Sequence, residues 1–317
     1  MSMAVGTEGT ELGQFGGAEA EIVVDARGHL TRELNSYLLR QVRAGARRLR
    51  VENLTGQRYI GTNLGTGAGA GAGAGTAGAT NPGSDTGTNR GTAAVKLRLY
   101  GTPGNDLGAF LDGPEIEVMG NAQDGVGNTM NRGRIVIHGN AGDILAMSAR
   151  GGEIFVRGKV GYRACLHMKE YEGRGPLVVV GGTAQDFFGE YMAGGTAVLL
   201  GLGLELGLGP RSDLGETAPR RDAAASLPVH KILYLATGMH GGRIYIRGEF
   251  DRTDLGSHVD VTPVNAPENE PILAHALDEF TRIFADTLSD GERQLLAAGP
   301  YYRLQPKGKR PYGRMYA

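Results

Sequence analysis

The residues best suited to chemistry are gathered in one stretch. Tyr162, Arg163, Cys165, His167, Lys169 and Glu170 fall within nine residues, Glu172 and Arg174 follow, and a separate histidine stands at His240. An imidazole titrates near neutral pH, so His167 and His240 have the range needed to hand on a proton. A cysteine with a suitable base would be a nucleophile. The spacing does not complete either site. Neither histidine has an adjacent Asp or a second His at ligand spacing, so no triad and no metal site is assembled, and each reads as a hydrogen-bonded structural histidine. Cys165 falls in a ladder of small residues and reads as a buried structural thiol. No catalytic, cofactor-binding or metal-ligating residue is assigned. Tyr162, Arg163, His167, Lys169, Glu170 and His240 are kept as a possible functional loop, because an inserted polar loop on a regular scaffold is where interaction sites collect.

That loop interrupts a repeat. Gly101, Gly120, Gly139 and Gly158 stand 19 residues apart, and each closes a short alternating run such as Ile116-Glu-Val-Met or Ile135-Val-Ile-His. The second and fourth residues before each glycine are apolar: Leu97 and Leu99, Ile116 and Val118, Ile135 and Ile137, Ile154 and Val156. The same rule extends to Leu177 and Val179 before Gly181, to Ala197 and Leu199 before Gly201, and to Ile244 and Ile246 before Gly248. A strand too short to bury its own apolar face, repeated at a fixed period, predicts an all-β-dominated solenoid: a single-stranded right-handed parallel β-helix. Two further ladders, Gly108, Gly127, Ala146, Cys165 and Leu111, Met130, Ala149, Met168, are expected to face its core. Gly120-Asn-Ala-Gln-Asp124 and Gly139-Asn-Ala-Gly-Asp143 place Asx and Gly residues where the chain turns, so their aspartates read as structural. Calcium-binding β-rolls repeat a much shorter unit, which argues against metal.

Five segments are expected. Residues 1–20 form a disordered N-terminus and 21–64 an α/β lead-in that caps the first open end, with Thr31 as N-cap and Leu30, Leu34, Leu38 and Val42 on the apolar face of its helix. Residues 65–94 are a Gly/Ala/Thr low-complexity loop with too few side chains to recover its ordering entropy. The β-helix spans 95–250, and 251–317 holds a helix from Pro271 that caps the far end, then a basic Tyr-rich tail. With 33 Lys and Arg against 34 Asp and Glu, the charge gives no reason to expect nucleic acid or a membrane as partner. A single cysteine excludes an internal disulfide framework, and no apolar run of spanning length is present, so a cytoplasmic location is expected.

Gly56-Gln-Arg-Tyr-Ile-Gly61, Gly120-Asn-Ala-Gln-Asp124, Gly152-Glu-Ile154, Gly161-Tyr-Arg163, His167-Met-Lys-Glu-Tyr171, Phe188-Gly-Glu-Tyr-Met-Ala-Gly-Gly195 and Gly238-Met-His-Gly-Gly242 together resemble the C-terminal GXGXG domain of the glutamate synthase large subunit. The resemblance covers about residues 20–317 apart from the low-complexity loop, and it implies the same β-helix that the 19-residue ladders predict. It also implies a role without chemistry of its own, bracing a glutamine amidotransferase and an FMN/iron-sulfur synthase within a glutamate-forming assembly. This chain lacks the N-terminal nucleophile and the cluster cysteines, so it resembles a free-standing subunit that binds no cofactor, with FMN and the iron-sulfur cluster on its partners. A related alternative is the β-helix subunit of a formylmethanofuran-dehydrogenase-like oxidoreductase; a stand-alone β-helix binding module is the other. The expected partner interface is the apolar outward row Val178, Val180, Val198 and Leu200, with Arg310 and Tyr312 of the tail draping over the partner.

Overall fold

The computed structural model describes residues 20–62, 64, 95–171, 173–204 and 228–308. The expected N-terminal disorder before Ala20, the 65–94 loop and the tail residues Arg310 and Tyr312 lie outside the described residues. In chain order the elements are β1 (Glu21–Asp25), α1 (Thr31–Arg43), β2 (Arg48–Thr55), β3 (Lys96–Thr102), β4 (Asp112–Val118), β5 (Arg132–Ile137), β6 (Glu153–Val156), β7 (Leu177–Val180), β8 (Ala193–Leu199), β9 (Val229–His230), β10 (Gly241–Arg247), β11 (Glu249–Phe250), β12 (Val259–Val264), α2 (Pro271–Ile283), α3 (Asp290–Ala298) and β13 (Tyr301–Pro306). Eleven strands make one sheet, mostly parallel, in the order β1-β2-β3-β4-β5-β6-β7-β8-β10-β13-β12. The strands run in chain order and parallel as far as β10; β13 and β12 then add antiparallel at that edge.

The register stacks equivalent residues. Leu97, Ile116, Ile135, Ile154, Val178, Ala197 and Ile244 align in one column, and Leu99, Val118, Ile137, Val156, Val180, Leu199 and Ile246 in the next. All are buried in one continuous apolar cluster, each Val, Leu or Ile side chain contributing about 1.5–3 kcal/mol. The two turn ladders are buried as well, from Gly108 to Cys165 and from Leu111 to Met168. Leu34, Leu38 and Val42 of α1 join the same cluster. Leu30 does not: it is 70% exposed and precedes the helix, while Thr31 is its first residue and accepts a hydrogen bond from the Arg58 backbone N–H at 3.2 Å.

The outer face changes character along the sheet. Its column reads Arg50, Arg98, Glu117, Val136, Phe155, Val179, Val198 and Tyr245. Arg98 and Glu117 pair across the first strands at 2.9 Å, whereas the apolar residues from Val136 onward are covered by Leu273, Ala276, Phe280 and Phe284 of α2 and the residue after it. The C-terminal helix therefore lies against the side of the sheet, and the terminal edge is extended by β13 and β12. This corrects the expected helical end cap. The reason is the apolar strip itself, which a helix with one apolar face covers more completely than it covers an end.

The expected interface is corrected for the same reason. Gly182, and not Gly181, continues the glycine ladder: its N–H donates to Gly158 O at 2.8 Å, and Gly201 N–H donates to Gly182 O at 2.9 Å. One residue of register reverses every side chain. Val178 and Val180 thus point into the main core, while Leu177 and Val179 face outward. Val198 and Leu200 do face outward, but they lie beneath the chain's own helix layer and are fully buried. None of the four is available to a partner. β7 is buried on both faces, so its Leu-Val-Val-Val carries no alternation from which the register could be read.

Candidate functional site

The corners between strands are built from Asx ladders. Asn121 Oδ1 accepts from Asn140 N–H and Asn140 Oδ1 from Lys159 N–H, each at 2.8 Å. Asp124 Oδ1 accepts from Asp143 N–H at 2.9 Å, Asp143 Oδ1 from Tyr162 N–H at 2.8 Å, and Asp186 Oδ1 from Leu233 N–H at 2.9 Å. These aspartates cap the backbone of the next repeat. Their neighbours must be small: a Cβ on Gly142 would come within 2.1 Å of Asp124 Oδ1, and one on Gly161 within 2.1 Å of Asp143 Oδ1.

Beyond each corner the backbone takes positive φ at alternate residues. Gly125, Gly127 and Thr129 have φ of 73°, 67° and 54°; Arg163, Cys165 and His167 repeat the pattern at 56°, 65° and 53°; Phe187, Gly189 and Tyr191 follow at 63°, 72° and 50°. The middle residue of each triplet points into the core, which is why this column holds Gly, Ala and Cys. The first and third point outward. Successive repeats are tied by backbone bonds such as Cys165 N–H to Leu145 O and His167 N–H to Glu190 O, at 2.8 and 3.0 Å.

This geometry disperses some of the sequence candidates and gathers others. Arg163 bonds Glu190 Oε2 through Nη1 at 2.5 Å, and its guanidinium lies 4.5 Å from the Phe187 ring centroid. Phe187 in turn stacks on Tyr234 with centroids 4.7 Å apart and planes at 16°. Alongside, His167 stacks on Tyr191 at 5.4 Å and 11°. Tyr162 and Leu233 stand in the aspartate column and are about half exposed. Lys169 and Glu170 begin the loop that Tyr171 and Arg174 close through paired backbone hydrogen bonds at 2.8 and 3.0 Å. His240 stands apart, its Nδ1 3.1 Å from Gly238 O, where a protonated Nδ1 donates. Cys165 is fully buried, and burial pushes its thiol pKa up, so it is held as the inert neutral form. Among the described residues no three His, Cys, Asp or Glu side chains converge as metal ligands would.

Sequence reasoning named Glu190 and Tyr191 only within a motif and not as site residues, and it missed Phe187, Leu233 and Tyr234. The signal was present, because Phe187-Phe-Gly-Glu-Tyr191 repeats the positions of Arg163-Ala-Cys-Leu-His167; insertions at Lys169–Gly175 and after Leu204 hid the alignment.

The alternation of left-handed residues gives a physical basis for glycine at every second position, and the profile of the GXGXG motif family matches residues 83–298. The chain belongs to the GXGXG motif family. This is the family of the glutamate synthase C-terminal domain. The GXGXG chain is also similar to the uncharacterized protein MJ1350 of Methanocaldococcus jannaschii, 39% identical over 298 residues that cover 93% of this chain and 96% of the relative. In this chain Gly125-Val-Gly127 carries the glycines, while other repeats place Arg, Phe, Tyr, His or Ile at the strained positions, tolerated because the ladder bonds on either side hold them.

Proposed function

We propose that this GXGXG chain is a noncatalytic structural subunit of a glutamate-synthase-like assembly, with glutamine amidotransferase and FMN/iron-sulfur synthase subunits as its partners in the cytoplasm. The family match across residues 83–298 carries the reading. MJ1350 supports a free-standing form of the domain, since 96% of that relative aligns with this chain. The buried thiol of Cys165 supports a role in which the chain braces others and performs no nucleophilic step. No helix among the described residues is long and apolar enough to cross a membrane.

The same reading includes the architecture. The repeats wind as a single-stranded right-handed β-helix, supported by strands that pair parallel in chain order, by corner ladders linking each repeat to the next, and by the right-handedness of parallel crossovers. The test is purification of the native assembly from source cells, with an absorption spectrum and mass spectrometry of its subunits. Flavin and iron-sulfur bands with an amidotransferase subunit are expected. Molybdopterin or tungstopterin subunits in their place would overturn the reading in favour of a formylmethanofuran-dehydrogenase-like complex.

A further inference from the structure

Cationic charge is concentrated at the start of the fold and left unpaired along one helix. Residues 20–62 carry eight arginines, no lysine and four carboxylates, on a chain whose net charge is -1. Three of the eight are paired: Arg27 with Asp25, Arg50 with Glu52 and Arg58 with Asp106. Arg47 donates to the Val42 and Ala46 carbonyls. Arg32, Arg40 and Arg43 of α1, and Arg48 just beyond it, are exposed and make no ion pair among the described residues. Glu33 is the single carboxylate of α1, and it accepts from Leu30 N–H at 3.2 Å. With that charge counted, the helix still holds three arginines against one acid.

The arrangement identifies what it fits. Arg32, Ser36, Arg40 and Arg43 recur at helical spacing on the outer side of α1, a strip about 16 Å long at a rise of 1.5 Å per residue. A groove of about 660 Å³ follows this strip, lined by His29, Arg32, Leu34, Tyr37 and Arg40 among others. The Arg40 guanidinium lies 5.9 Å from the Tyr37 ring centroid. Tyr37 is 5% exposed, and its hydroxyl is buried without a hydrogen-bond partner, a donor the fold leaves unsatisfied. Leu30, next to His29, is 70% exposed, more than any other large apolar side chain described. The strip is too long for one small anion, and Arg presents the planar fork that carboxylates fit. Leu30 and Tyr37 beside the arginines suit apolar side chains, which a nucleic-acid backbone lacks. The helix has already buried Leu34, Leu38 and Val42 in the core, so it has no free apolar face to lay in lipid. We propose that the outer face of α1 docks an acidic segment of a partner protein, with carboxylates spaced along Arg32 to Arg43 and an apolar side chain against Leu30 and Tyr37. The arginines steer the approach and set the register of the segment. This docking does not rest on the subunit reading above.

The experiment places a photo-crosslinking residue at the exposed Ser36 of the full chain in source cells, and maps the product by mass spectrometry. A crosslink to a carboxylate-rich segment of another protein is expected. Made as a labelled peptide, that segment should bind the full chain with an affinity that falls as salt rises. Arg32→Glu with Arg43→Glu should abolish the crosslink and weaken the peptide at least tenfold with an unchanged melting temperature, because both side chains are exposed and unpaired. The same pair should flatten the salt dependence, whereas Leu30→Ser should weaken binding alike at every salt concentration. Crosslinks to nucleic acid, to lipid, to a second copy of this chain or to nothing would overturn the docking face. So would a peptide affinity that the Glu variants leave unchanged. Each of these failures leaves the subunit reading standing, since that reading is decided by the cofactors and subunits of the native assembly.

Discussion

At the residue scale, the chain's chemistry is that of corners whose backbone N–H groups are capped by Asn and Asp side chains of the preceding repeat. Gly142 shows the constraint most directly, since a methyl group there displaces Asp124 Oδ1 from the Asp143 N–H that it caps. Gly142→Ala should therefore cost about 2 kcal/mol or more in urea unfolding. Gly291 in α3 has no such neighbour, so Gly291→Ala should stabilise by about 0.5–1 kcal/mol through helix propensity. Cys165 gives a second test. Buried, with its pKa raised by desolvation, it should resist a thiol reagent at pH 8 in the native protein and react fully in denaturant. Labelling at native conditions would show that the turn opens. The His167 ring is a stacking partner of Tyr191.

At the element scale, α2 decides which surfaces are free. Phe280 contacts Phe284 with centroids 4.7 Å apart and belongs to the cluster that covers Phe155, Val179 and Val198. Phe280→Ala should cost about 3–5 kcal/mol, measured by chemical denaturation. The folded variant should retain its β-sheet circular dichroism, because the interior columns do not depend on that ring. The sheet was legible in the sequence wherever one face is solvated: Leu97-Arg-Leu-Tyr and Ile116-Glu-Val-Met alternate, and their register is correct. It became illegible at Leu177–Val180, where a helix from nearly 100 residues downstream buries the second face. The lead-in strand, helix and strand were likewise found at β1, α1 and β2, because periodicity and local propensity agree there.

At the scale of the whole molecule, stability should depend on pH through His230. This imidazole is buried, 2.8 Å from Thr183 Oγ1 and 3.0 Å from Arg247 O, and desolvation lowers its pKa to about 4. The Nε2–H donates to the carbonyl, leaving Nδ1 to accept from the hydroxyl. A depressed histidine pKa means that the native state binds the proton less readily than the unfolded chain. Its contribution is complete above the unfolded value near 6.5 and declines as pH falls toward 4, by up to about 3 kcal/mol. Urea midpoints between pH 7 and 4.5 should fall in the wild type and fall less in His230→Gln; equal slopes would remove His230 as the cause. Below pH 4.5 a further loss is expected as Glu117 and Glu279 protonate. Hydrogen bonds from His138 and Arg98 hold Glu117 near a pKa of about 2, and the Arg282 hydrogen bond does the same for Glu279.

By itself the sequence determined the repeat, the inward columns of most strands, the small-residue turn ladder and the family, because each is a local pattern that recurs at a fixed period. The tertiary structure alone decided which outer face is free. Whether Val198 and Leu200 meet water or a helix depends on where residues 271–284 fold back, a long-range choice made by apolar area and not by any nearby residue. It likewise decided that Arg163, Phe187 and Tyr234, separated by insertions in the chain, form one surface, because stacking repeats brings equivalent turn positions into van der Waals contact whatever the chain length between them.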